Sequence, residues 1–198
     1  MRMRCGWLPG SSEAASWKRP RVRPGPSCAI IGESSSTDER VPVDVSLRPL
    51  EDEDVPRLRR WLAAEHVRPW FEHPDAWIEE VEGRRGAFSW IRHFIIEAGG
   101  APAGFCQYYP FACSGEAWNG SQPIEGTYSL DYLVGEPSWL RCGVARAALA
   151  LLVERIAAEA DAQRVIVQPD PGNAASRGLL MDGGFSYDQA DDLFILEI

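Results

Sequence analysis

Two residues in one short stretch could do chemistry together. In "YSLDYLVGEPSWLRCGVARAALALLVE", residues 128–154, Asp131 interrupts an alternating apolar run, and Gly143 lies between Arg141 and Arg146 where a periodic Ala- and Leu-rich segment begins. A carboxylate held in a strand can orient an amine or collect its proton, and only the deprotonated amine is a nucleophile. A glycine at a helix entry lets an anion approach backbone amides that lack intrahelical partners and lie at the positive end of the helix dipole. Gly143 and Ala145 are both small, and the two arginines add positive charge, so the join suggests a diphosphate site. On the residues alone, each feature also has a plainer reading: a strand aspartate with a local hydrogen bond, and an ordinary loop-to-helix junction.

The elements that must position these residues are legible from period and punctuation. "VDVSLRPL" alternates and ends at a proline, which predicts a first strand. "EDEDVPRLRRWLAAEHV" has acids and a proline in its first turn and Leu58, Trp61 and Leu62 at helical spacing; "PDAWIEEVEGRR" is a second, shorter helix. "WIRHFIIEAGGAPAGFCQYYPF" has two apolar runs around a Gly-Gly turn, a β-hairpin. Residues 112–126 are polar and Gly-rich, hence a loop. A strand over "TYSLDYLVG", a helix from about Gly143 to Glu159, a strand in "RVIVQPD", a short helix in "NAASRGLLMDGGF" and a terminal strand in "DLFILEI" complete the order β-α-α-β-β-β-α-β-α-β. This is a mixed α/β domain without internal repeats.

Composition narrows the class. The chain has 198 residues, 45% hydrophobic and 25% charged, enough for one domain with a sizeable core. Residues 1–42 are rich in Ser, Pro, Gly and Arg and show no sustained apolar period, so they are expected to be a mostly disordered extension without catalytic role; residues 43–198 form the folded domain. The extension holds seven Lys+Arg and four Asp+Glu, leaving 13 basic against 25 acidic residues beyond it. That acidic surface disfavours nucleic acid and favours cationic partners. No apolar run is long enough to span a bilayer and no secretory leader is evident, so a cytoplasmic protein, monomeric or homodimeric, is expected. Five cysteines without a CxxC pair argue against a disulfide framework or a thiolate metal site, and no metal is expected.

Several ordered motifs resemble one family. "LRCGVA" ahead of "RAALALLVE" resembles the Q/R-x-x-G-x-G/A pyrophosphate loop of the GCN5-related N-acetyltransferases (GNAT superfamily), and the element order over residues 44–198 is similar to theirs. Within it, "SLDYLVGEPSWLRCGVA", "LRPLEDEDVPRLRRWLAAEHVRPWF", "PAGFCQYYPF" and "SGEAWNG" are similar to aminoglycoside 6′-N-acetyltransferases. The resemblance implies the GNAT fold, a mixed central sheet flanked by helices and splayed at the cofactor site, with acetyl-CoA as donor. It implies diphosphate contacts at Arg141, Cys142, Gly143, Val144, Ala145 and Arg146, pantetheine pairing at Leu133 and Val134, and a further cofactor contact at Asn173. Asp131 becomes the catalytic, amine-facing carboxylate, and Trp70, Glu116 and Trp118 join it in lining the acceptor cleft. Aromatic faces there pack on sugar rings and cations.

The sequence also departs from the family. Its members commonly carry "N-x-R-A-x-x-x-Y-x-x-x-G-F" in the late helix, with the tyrosine placed to protonate the departing thiolate; here Leu180 takes that position, and Ala175 and Ser176 replace the Arg-Ala pair. Cys142 is set aside as a nucleophile because no histidine is placed to support it. The function expected is N-acetylation of a cationic small-molecule amine, of the aminoglycoside 6′ and antibiotic-resistance type. The alternatives are a siderophore-pathway acyltransferase acting on a lysine or hydroxylysine amine, and a weakly catalytic protein that binds an aminoglycoside or acyl-CoA.

Overall fold

A computed structural model describes residues 43–198; the extension expected over residues 1–42 lies outside the described residues. Seven strands form one sheet: β1 (Val45–Pro49), β2 (Arg92–Ala98), β3 (Ala101–Pro110), β4 (Thr127–Val134), β5 (Arg164–Val167), β6 (Ser186–Asp188) and β7 (Leu193–Glu197). Their order is β1-β2-β3-β4-β5-β7-β6, and every pairing is antiparallel except β4 with β5. The helices are α1 (Val55–Leu62), α2 (Pro74–Glu82), α3 (Phe111–Ser114), α4 (Val144–Ala157) and α5 (Ala174–Asp182). The mixed sheet flanked by helices matches the expectation.

Strand alternation divides the core in two. Phe94, Ile96, Cys106, Tyr108, Tyr128 and Leu130 face a layer containing Val144, Ala148, Leu149, Leu152 and Ile156 of α4 and Leu180 of α5. Ile95, Phe105 and Leu133 point the other way, onto Leu58, Trp61 and Leu62 of α1 and Ile78 and Val81 of α2. Successive strand residues point to opposite faces, so both layers follow from the period of two, and the helices supply 3.6-period stripes to cover them. Large buried side chains contribute about 1.5–3 kcal/mol each, so Val144, Leu149, Leu152 and Ile156 hold α4 firmly against the sheet along its length. Two tyrosines tether the residues just past α4: Tyr108 Oη donates to Glu159 at 2.7 Å and Tyr128 Oη to Asp161 at 2.6 Å.

Two differences from the sequence reading are local. The terminal strand is the second arm of a hairpin, because β6 precedes it; three exposed or half-buried residues carry too little period to announce a strand. The loop after β3 opens with the single helical turn α3, whose Phe111 is buried.

The feature that matters most for the site is a parting of strands. β4 pairs with β5 only through Thr127, Tyr128 and Ser129. On its other side it stays paired with β3 as far as Val134, opposite Gly104. Leu130 to Val134 therefore have no strand neighbour on the β5 side, and the sheet splays there.

Candidate active site

The loop between β4 and α4 is built to leave backbone exposed. Gly143 caps α4 with φ +82°, and Arg141 also adopts a left-handed conformation at φ +62°. A Cβ at Gly143 would have nothing within 4 Å, so glycine is required for its dihedral and the space before it is open. The first backbone bond into the helix runs from Ala147 N to Gly143 O, 3.0 Å, leaving the amides of Val144, Ala145 and Arg146 without intrahelical acceptors. The amide of Cys142 already donates to Trp139 O at 3.4 Å. Arg141 is exposed, whereas Arg146 pairs with Asp182 on α5. The geometry suits an anion on the helix amides with Arg141 beside it.

Upstream, the loop is anchored. Trp61 Nε1 of α1 donates to Glu136 Oε1 at 2.8 Å, and Arg60 donates to the same oxygen at 3.0 Å. These hydrogen bonds, with the indole contributing most, hold the Glu136 carboxyl below the usual carboxylate range. Gly135 lies against the Trp61 ring so closely that a Cβ would fall 2.2 Å from it. Leu133 is buried, Val134 is half-buried, and the Val134 carbonyl accepts a hydrogen bond from His66 Nε2 at 3.0 Å.

Asp131 stands at the end of a polar row. It is 8% exposed, directly opposite Gln107 on β3, whose Nε2 donates to Asp131 Oδ2 at 3.2 Å. Gln107 is in turn opposite His93 on β2, and His93 Nε2 lies 3.5 Å from Glu80 Oε1 of α2. Three buried polar side chains thus cross three strands on the α1–α2 face of the sheet. Gln107 Oε1 and the neighbouring Ser129 Oγ are buried without a hydrogen-bond partner in the protein. Buried polar atoms are rarely left unmatched, and each one calls for an explanation.

The remaining expected residues divide. Glu116 and Trp118 are half-buried after α3 and joined to each other, the indole Nε1 donating to Glu116 Oε2 at 2.8 Å; Trp118 also packs edge-on against Phe111, centroids 4.8 Å apart. Trp70 lies in the turns that follow α1, half-buried, its amide donating to Val67 O at 2.9 Å. Asn173 caps α5, its Oδ1 accepting from Ser176 N at 3.0 Å, which commits the side-chain oxygen. Leu180 is fully buried in the core. Among the described residues, no group of three or more His, Cys, Asp or Glu side chains is gathered for a metal.

Sequence reasoning did not find Gln107, Ser129, His93 or Tyr132. Gln107 is the one amide side chain in "AGFCQYYPF", which marks it as unusual but says nothing of its partner. Tyr132 follows Asp131 directly and points to the opposite face, where its Oη is 2.8 Å from Ser176 Oγ of α5.

Comparison with known proteins agrees with this architecture. The profile of the acetyltransferase (GNAT) domain matches residues 51–193. The chain belongs to the GNAT acetyltransferases. This GNAT protein is 24% identical over 151 residues to aminoglycoside N(6′)-acetyltransferase type 1 of Klebsiella pneumoniae, covering 71% of this chain and 73% of the relative. Among solved structures, aminoglycoside acetyltransferase AAC(6′)-Ib in complex with coenzyme A superposes with a TM-score of 0.67 at 21% identity, over 78% of this chain and 95% of that one. RimJ of Mycobacterium smegmatis, in complex with CoA-disulfide, superposes with a TM-score of 0.59 at 21% identity, over 78% and 81% of the two chains.

Proposed function

We propose that this GNAT protein transfers an acetyl group from acetyl-CoA to the primary amine of a polycationic small molecule, of the kind an aminoglycoside presents at its 6′ position. The observation that carries the reading is that one strand, β4, holds both a buried carboxylate at Asp131 and an edge without a strand partner from Leu130 to Val134. The unpaired edge offers backbone groups to the amides of an extended donor arm, with Leu133 and Val134 as its partners and the splay as its slot. At the end of that slot, the amides of Val144 to Arg146, with Arg141, Cys142 and Gly143 forming the approach, receive the diphosphate. Asn173 presents its Nδ2 group to the arm from the cap of α5.

On the other face, Asp131 accepts the acceptor's ammonium and takes its proton directly or through water. Gln107 Oε1 and Ser129 Oγ then have a role for their unmatched lone pairs: they complete the donor requirements of the same amine and of neighbouring hydroxyls. Glu116 and Trp118 add an acid and an aromatic face to the cleft, and Trp70 a second aromatic face. The acidic remainder of the chain attracts such a cation. The proposed location is cytoplasmic, where the donor is made, and the proposed state is a monomer or homodimer.

The test is a panel of kanamycin-type aminoglycosides, polyamines and N6-hydroxylysine, followed by release of free thiol from acetyl-CoA. Thiol release with an aminoglycoside, and at least a tenfold lower kcat in Asp131→Asn, is the expected result, in line with the usual contribution of a general base of about 10²-fold or more. Release with N6-hydroxylysine alone moves the protein to the siderophore-type reading. Tight ligand binding without thiol release from any amine rejects catalysis in favour of sequestration.

A further inference from the structure

The splay between β4 and β5 is bridged at one point. Tyr132 lies three residues past Ser129, the last residue of β4 paired to β5. Its side chain leaves the face that bears Asp131 and reaches Ser176 in the first turn of α5, the helix that follows β5, with Oη to Oγ 2.8 Å. Ser176 is held in place because its own amide is the one the Asn173 cap captures. The two hydroxyls therefore span the gap at a fixed position, beside the edge proposed to hold the donor arm and one residue from the carboxylate proposed to face the acceptor.

Acetyl transfer needs a proton on this side. When the amine nitrogen bonds to the acyl carbon, the carbon–sulfur bond breaks and the sulfur leaves with the electron pair. α5 brings no donor at Leu180, which is fully buried among apolar side chains. We propose that Tyr132 is the proton donor to the departing sulfur, with Ser176 as its positioning partner. The inference rests on the acetyltransferase reading and extends it to a residue on the strand itself.

The step balances. Asp131, or water beside it, passes the ammonium's first proton to solvent before the attack and takes the second proton that the nitrogen loses as the amide forms. Tyr132 Oη gives its proton to the sulfur, which becomes the free thiol, and Ser176 Oγ donates its hydrogen bond to the resulting phenolate. The phenolate is reprotonated from solvent before the next cycle. Ser176 donating to Tyr132 is one of the two directions the 2.8 Å contact allows, and it leaves the phenol proton free to point into the gap. Burial, opposed by the Ser176 hydrogen bond and joined by a smaller effect of the Asp131 charge, pushes the Tyr132 phenol up to about 12, so it is protonated and able to donate at neutral pH.

Tyr132→Phe keeps the ring and removes only the oxygen. The expected result is a kcat at least tenfold lower, within the general-acid range of about 10²- to 10⁴-fold, with KM for acetyl-CoA within twofold of the parent and calorimetric affinity for acetyl-CoA unchanged. Ser176→Ala should fall between the two. A second measurement does not depend on turnover: the thiol of bound CoA is titrated by the ultraviolet absorbance of its thiolate. A hydrogen bond from Tyr132 favours the thiolate, so its loss should raise the bound thiol's pKa by about one unit. Equal kcat in Tyr132→Phe and the parent, or an unmoved thiol titration, overturns the assignment of Tyr132 alone. A parent protein that releases no thiol with any amine overturns both the transferase reading and this inference.

Discussion

Gly143 shows how one residue can serve two ends that a matched control separates. Its φ of +82° disfavours any Cβ, and a Cβ there would touch nothing within 4 Å. Gly100 in the β2–β3 turn has φ +78° and equally empty surroundings. Gly143→Ala and Gly100→Ala should therefore lose similar stability, about 1 kcal/mol from left-handed strain. Only Gly143→Ala should also weaken CoA binding, by at least fivefold in a calorimetric titration, because only there does the added methyl meet an approaching phosphate. Equal CoA affinity in the two variants would remove the diphosphate from this loop. At the same scale, Asp131 and Tyr132 are neighbours that face opposite sides of one strand, so a single dipeptide serves both proton transfers under the proposed chemistry.

At the scale of elements, the start of α1 is fixed to β1 by a buried carboxylate. Asp54 is 3% exposed and accepts from Arg48 Nη1 at 2.5 Å and Nη2 at 2.8 Å, from Arg57 Nη1 at 2.9 Å, and from the Glu51 amide at 3.1 Å. The Arg48 hydrogen bonds, opposed by burial, hold its carboxyl below the usual range. The stabilisation is therefore complete above the unfolded-state pKa and is lost as pH falls through the lowered folded-state value. Asp54→Asn should cost on the order of 3 kcal/mol at neutral pH, as when one partner of a buried pair is removed. Its thermal midpoint should then decline less steeply than the parent's as pH falls below about 4, the ordinary aspartate value. Parallel declines in the two proteins would show that Asp54 does not contribute this linkage. α1 carries Trp61, whose indole holds Glu136 at the loop ahead of α4, so this tie supports the site from a distance.

For the whole molecule, the excess of acidic residues beyond position 42 predicts a salt effect. Raising ionic strength from about 0.02 to about 0.5 M shortens electrostatic reach to a few ångströms. KM for a polycationic amine should rise several-fold while kcat stays within twofold; a KM insensitive to salt would show that the surface charge does not steer the substrate. How much of the molecule could be read in advance follows the same division by range. α4, the β2–β3 hairpin and the Asp131 strand were visible because each carries its own period or turn chemistry within a few residues. The row His93–Gln107–Asp131 was not, because it exists only once the strand registers are set. The Tyr132–Ser176 contact joins residues 44 apart and depends on where the cap of α5 falls. β6 was missed for want of residues to form a pattern.

The three-residue pairing of β4 with β5 makes the sheet two sub-sheets, one of β1 to β4 and one of β5 to β7, joined by a short seam. Under the proposed binding mode, the donor's arm lies in the seam's open half and supplies the hydrogen bonds that a longer β5 would have made. The coenzyme then acts as a temporary eighth strand. Anything that binds only the native state stabilises it by mass action, so occupancy and structural integrity are linked, and the protein is at its least robust when its donor is exhausted.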